Sequence, residues 1–122
     1  IGQTKNEETA FEMLQNIYEN RRIQISGEHL LAYCFYHGFG TKKDIHKAIS
    51  ILEKSVKDGN IISCSRNYLL AVCYMNLDKE KAENYLKLAK KYINNTGQYE
   101  REIINNSIKN KEYEFFYPIE VK

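Results

Sequence analysis

The chain has one proline, no tryptophan and only three cysteines in 122 residues, and its charges nearly cancel. Each scarcity removes a class of protein. Eighteen basic and sixteen acidic residues leave a formal charge of +2, spread along the chain. Recognition of nucleic acid needs a clustered basic face, and none is present. No apolar run approaches the roughly 18 residues of a membrane span, and no signal-peptide pattern occurs, so membrane insertion is not expected. Cys34, Cys64 and Cys73 cannot all pair with one another and form no C-x-x-C spacing. That spacing argues against structural zinc and thioredoxin-like chemistry, and the thiols are expected to serve as small, buried, reduced apolar groups.

What is abundant is Ile, Lys, Asn and Tyr, the residues favoured by AT-rich codons. The ten tyrosines are therefore read first as core-filling residues rather than a stacking platform. With 43% apolar residues and a length suited to one domain, the chain has the composition of an ordinary globular protein. It begins at Ile1 rather than at a methionine, so a longer precursor or parent protein is expected.

The main signal is internal repetition. Leu31-Ala32-Tyr33-Cys34-Phe35 aligns with Leu70-Ala71-Val72-Cys73-Tyr74 at an offset of 39 residues. Asp44-Ile45-His46-Lys47-Ala48 aligns with Asp78-Lys79-Glu80-Lys81-Ala82 at an offset of 34, so the first unit carries a loop five residues longer. Asn6-Glu7-Glu8-Thr9-Ala10 matches the second element loosely, as an earlier half-unit. Each unit reads as a helical hairpin. Leu30, Leu31, Cys34 and Phe35 share one face at i, i+3, i+4 spacing. Gly38 closes that helix in the left-handed region, and Gly40 lets the loop turn back. Asp44 then caps the next helix, whose buried stripe is Ile45, Ala48, Ile49, Leu52 and Val56, with Ile51 at the margin. The spacing predicts helices near 6–20, 25–37, 45–58, 61–76, 78–93 and 98–110. Within "EYEFFYPIEVK", Tyr113, Phe115, Tyr117, Ile119 and Val121 alternate with mostly polar neighbours, as an extended segment does. This tail is read as a cap on the final helix or as an edge strand seeking a partner in another chain.

The pattern Leu31-Ala32-x-x-Phe35-x-x-Gly38-x-Gly40-x-x-x-Asp44-x-x-Lys47-Ala48, ending at Gly59, resembles a Sel1-like repeat, a longer-looped relative of the tetratricopeptide repeat. Residues 64–94 resemble it too, with a shorter loop closer to the tetratricopeptide form. Ala32 and Ala71 stand where the family usually has glycine, and Ile51 where an aromatic is common. The resemblance implies an all-α chain folded as a right-handed α/α superhelix, to which the alternation read above adds an extended C-terminal tail. Its expected divisions are a trailing half-repeat at 6–21, repeats at 25–60 and 61–94, a final capping helix at 97–111 and a tail at 112–122. It further implies a concave groove lined by the first helix of each hairpin, and a binding scaffold with no common enzymatic activity.

Candidate sites follow. Gly38-Phe39-Gly40 comes after a helix rather than a strand and leads to the carboxylate of Asp44, which opposes an anion, so it is a hinge and not a phosphate loop. His29, His37 and His46 lie eight and nine residues apart, which is not ligand spacing on one helical face. No nucleophile–base pair surrounds them, so neither a metal, a cofactor nor catalysis is expected. By the repeat register, the groove is lined by His29, Tyr33, Tyr36 and His37. Asn67, Tyr68, Val72 and Met75 follow from the second hairpin, and Glu102, Asn106 and Lys109 from the last helix. The expected function is non-catalytic recognition of a protein partner. Two narrower readings stay open: an immunity or inhibitor protein neutralising a toxin or effector, and a regulatory segment of a larger enzyme. The cytoplasm is the expected compartment, with the periplasm or a secreted location as the alternative.

Overall fold

The computed structural model describes residues 5–19, 25–58, 64–95 and 97–116. It contains six α-helices and no strand among them: α1 (Lys5–Glu19), α2 (Ile25–His37), α3 (Ile45–Asp58), α4 (Cys64–Tyr74), α5 (Lys79–Lys91) and α6 (Gln98–Asn110). A 3₁₀ turn, Ile93–Asn95, follows α5. The fold is all-α, and its helices fall close to those read from periodicity. The chain divides into two compact units, Ile1–Ser55 with Phe116–Lys122, and Val56–Phe115.

In the first unit α1 packs on α2. Phe11 meets Phe35 edge-on, with ring centroids 5.1 Å apart. Leu31, Ala32, Cys34 and Phe35 are buried on α2, and Ala48, Ile49, Ile51 and Leu52 on α3. Ile51, expected at the margin, is 5% exposed, so the apolar stripe of α3 is wider than its spacing indicated. The side chain of Val56 and residue Gly59, both assigned roles above, lie outside the described residues. Asn6 lies inside α1 rather than at its cap, and Ala10 is exposed, unlike the buried alanines of the full hairpins.

The turn from α2 to α3 shows why its two glycines are there. Gly38 adopts φ +74° at the end of α2, and Phe39 N–H reaches back to the Cys34 carbonyl at 2.8 Å. This is the closure of a helix end through a left-handed residue. Gly40 has φ +72°, and a Cβ there would lie 2.7 Å from the Glu7 carbonyl carbon and 2.9 Å from Phe11 Cβ. A side chain at Gly40 would push α1 away, so this glycine both turns the loop and seats the neighbouring helix. Asp44 closes the turn twice. Its N–H binds the Phe35 carbonyl at 2.7 Å, and its Oδ1 accepts the Lys47 N–H at 3.0 Å, capping α3.

In the second unit α4 packs on α5 and α6. Every residue from Cys64 to Cys73 is buried, including the polar Ser65, Arg66 and Asn67. A helix buried all round is a core element rather than an amphipathic surface one. The expected helix at 61–76 ends at Tyr74, since Met75–Leu77 turn. Residues 61–63 lie outside those described. Asp78 N–H binds the Tyr74 carbonyl at 2.8 Å, and its Oδ1 accepts the Lys81 N–H at 3.2 Å. Ala82 and Ala89 are fully buried on α5, and Tyr85 stacks on Tyr74 with the rings 5.8 Å apart. Lys111, with φ 56°, ends α6 as Gly38 ends α2, with Glu112 N–H on the Ser107 carbonyl at 3.1 Å.

Candidate functional site

Residues assigned to the groove divide by accessibility, and each unit holds some of both kinds. In the first unit, Tyr33 and Tyr36 are half-buried and His37 is exposed at the end of α2. Heptad-like spacing brings them together. The His37 ring lies 4.5 Å from that of Tyr33 and 4.9 Å from that of Tyr36, and Lys43 Nζ stands 5.8 Å from the Tyr36 centroid. The result is a cluster of three rings and a cation with part of its surface in water. His29, two helical turns earlier, is buried at 6% exposure. Its Nε2 donates to the Phe116 carbonyl at 3.1 Å, since a carbonyl can only accept, and the two rings meet edge-on.

In the second unit, Asn67, Tyr68 and Val72 are buried and Met75 is half-buried. Tyr68 has no exposed surface. Its hydroxyl donates to the Glu114 carbonyl and accepts the Glu114 N–H, both at 3.0 Å. The N–H and C=O of one residue point the same way only when the backbone is extended, so a phenol here takes the place that a neighbouring strand takes in a sheet. Burial raises the Tyr68 pKa above its usual 10.0, against the lowering effect of hydrogen bonds from Ser107 and the Glu114 backbone. The phenol therefore keeps its proton, and can donate, at neutral pH. Glu102, Asn106 and Lys109 are exposed on α6 at spacings of four and three, one polar face of that helix.

The tail thus differs from its expected alternation. Phe115 and Phe116 are consecutive, yet 1% and 4% exposed. The tail's first residue, Glu112, bonds the Ser107 carbonyl of α6, and beyond it Glu114 is held by Tyr68 of α4 and Phe116 by His29 of α2. Residues 117–122, and with them Tyr117, Ile119 and Val121, lie outside the described residues. Spacing alone signals extension but not what an extended segment binds, so Glu114 and Phe116 escaped the sequence reading and Phe115 entered it only as part of the alternation.

A cavity of about 350 Å³ in the first unit, lined by Gln15, Phe35, Asp44, His46, Lys47 and Ile51 among others, was also missed. It opens where α1 faces the start of α3, and the Lys47 ammonium lies 5.7 Å from the Phe35 ring. Gln15 Nε2 donates to Glu19 Oε1 at 2.9 Å, which fixes the amide and leaves its buried Oε1 without a hydrogen-bond partner.

All three cysteines are free and buried. Burial pushes Cys34 up to about 11, and burial together with the Glu100 carboxylate does the same for Cys64. At neutral pH these thiols are protonated and poor nucleophiles. Among the described residues no group of three or more His, Cys, Asp or Glu side chains converges as a metal site. None of the described helices is long and apolar enough to cross a membrane.

The chain is thus an all-α protein built on helical hairpins, with accessible aromatic surface at the end of α2. Residues 25–60, which contain the long glycine turn, match the family model of the Sel1 repeat. Sel1 repeats are tetratricopeptide-like helical repeats that generally mediate protein–protein interaction and are typically non-catalytic. No curated protein and no solved structure matched the chain in the corresponding comparisons.

Proposed function

We propose that the chain is a non-catalytic recognition protein that holds a protein partner on the faces of its first-type helices. The observation that carries this reading is the Tyr33–Tyr36–His37 cluster. Its rings brace one another at 4.5 and 4.9 Å while keeping surface in water. Aromatic groups already fixed in place lose little freedom on association, which is where binding energy concentrates. In the second unit, Glu102, Asn106 and Lys109 supply a polar face suited to the rim of an interface. The cytoplasm fits this reading, because three buried reduced thiols suit a reducing compartment.

The test is affinity capture with the full chain and with Tyr33→Ala/Tyr36→Ala. These two side chains are half-buried at a helix end, so their removal should leave helicity intact. The expected outcome is at least a tenfold loss of recovered partner. Equal recovery by the folded double variant excludes this face. Tyr68 is unsuitable for that experiment, being fully buried.

A further inference from the structure

Tyr68, assigned by register to the partner-binding face, is already engaged by the chain itself. We propose that residues 112–115 are a built-in occupant of the binding face of α4, and that the face accepts an extended protein segment in which an aromatic residue follows the one held by its main chain. This rests on the reading of first-type helices as the recognition surface and names the kind of segment they take.

Three observations within the second unit support it. First, recognition of Glu114 is through its main chain alone: one hydroxyl satisfies both its N–H and its carbonyl, and the carboxylate is left exposed. Main-chain capture of this sort accepts any extended segment, as strand addition does. Second, the hydroxyl is preset. Tyr68 is fully buried, and Ser107 of α6 hydrogen-bonds it. Third, Phe115, the next residue along, is 1% exposed, so the side chain following the captured residue is taken out of water. Burial of a phenylalanine supplies affinity, and the requirement for an aromatic there supplies selectivity. Independently, in the other unit, Phe116 is held by its carbonyl on His29 Nε2 and by its ring against the imidazole.

The physical consequence is competition. A segment tethered a few residues beyond α6 is present at an effective concentration on the order of millimolar. A free peptide or partner segment at micromolar concentration meets a face that is already filled, unless it binds more tightly or the tail is released.

The probe is a fluorescein-labelled peptide with the sequence of residues 111–116, KEYEFF, titrated with the full chain and followed by anisotropy. The wild-type chain should bind it weakly. Glu114→Pro in the full chain deletes the captured N–H and should tighten peptide binding at least tenfold, with Tyr68→Phe in the same chain reversing the gain. A folded Glu114→Pro chain that binds the peptide no better than wild type overturns the proposal.

Should that variant not fold, amide hydrogen exchange decides. In the wild-type chain the Glu114 amide should be protected, and Tyr68→Phe should speed its exchange at least tenfold while α4 to α6 keep their protection. Equal exchange in the two chains overturns the proposal. So does a wild-type dimer whose Glu114 protection disappears on dilution, since the tail would then sit on a second copy. The peptide titration reports on the tail alone, whereas the Tyr33/Tyr36 capture experiment reports on the first unit. Failure of one therefore leaves the other readable.

Discussion

The two hairpins close differently and hold together identically. In the first, the residue that caps the second helix lies nine positions after the residue whose carbonyl it binds, Asp44 to Phe35; in the second it lies four positions after, Asp78 to Tyr74. Despite that difference the same contacts recur. The aspartate N–H binds the aromatic residue's carbonyl at 2.7 and 2.8 Å. Its carboxylate accepts the N–H of the lysine three positions on, Lys47 or Lys81. That lysine's ammonium lies over the aromatic ring, at 5.7 Å for Phe35 and 5.3 Å for Tyr74. The alanine that follows is fully buried, Ala48 in one and Ala82 in the other. The repeat is therefore a set of four linked interactions rather than a fixed length of chain. Extra loop can be added between their ends at a cost of only about 0.6 kcal/mol per doubling.

Where the hairpins differ, the first has a task the second lacks. Gly40→Ala should be the most damaging single change, at about 2–4 kcal/mol in urea unfolding, because it combines left-handed strain with a clash against the backbone of α1. A loss below about 1 kcal/mol would mean that the long loop does not seat α1. The next largest effect should come from overpacking the equivalent alanines. Ala48→Leu and Ala82→Leu are each expected to lose about 1–3 kcal/mol, and a neutral thermal shift in one alone would break the equivalence.

Removing the caps should cost less. Asp44→Ala and Asp78→Ala are expected to destabilise by about 1 kcal/mol each. Values that diverge by more than a kilocalorie would show that loop length does alter the closure. Smallest of all, Lys47→Met and Lys81→Met, which keep the stem and remove the cation, should each cost about 0.5 kcal/mol. A difference between them would distinguish a phenylalanine face from a tyrosine face.

The parts that were legible in the sequence are those with local causes. Asp44 and Asp78 as caps, Ala48 and Ala82 as close contacts, and Gly38 as a helix end each follow from chemistry within a few residues of chain. The burial of α4 was less legible. Ser65 and Arg66 were given no place in the sequence reading and Asn67 was assigned to the groove, yet all three are buried, and Ser65 donates to a Glu100 carboxylate oxygen contributed by α6, thirty-five residues away. Periodicity reports what a helix turns towards its own hairpin, and α4 is covered on further sides. The tail was illegible for a related reason. The Tyr68 hydroxyl that holds it lies forty-six residues distant and recognises main chain, which has no sequence signature. Ala10 shows the reverse failure, a residue matched to the repeat pattern that is exposed in the structure.

The tight turn of the second hairpin has a practical use. Its Asn76 and Leu77 are exposed, and they lie between a carbonyl and a capping residue that the first hairpin joins across five more positions. A foreign epitope of about that length, spliced between Asn76 and Leu77, would enter at a port the architecture already tolerates elsewhere. The molecule could then serve as a display frame carrying a guest sequence on a rigid pair of rods.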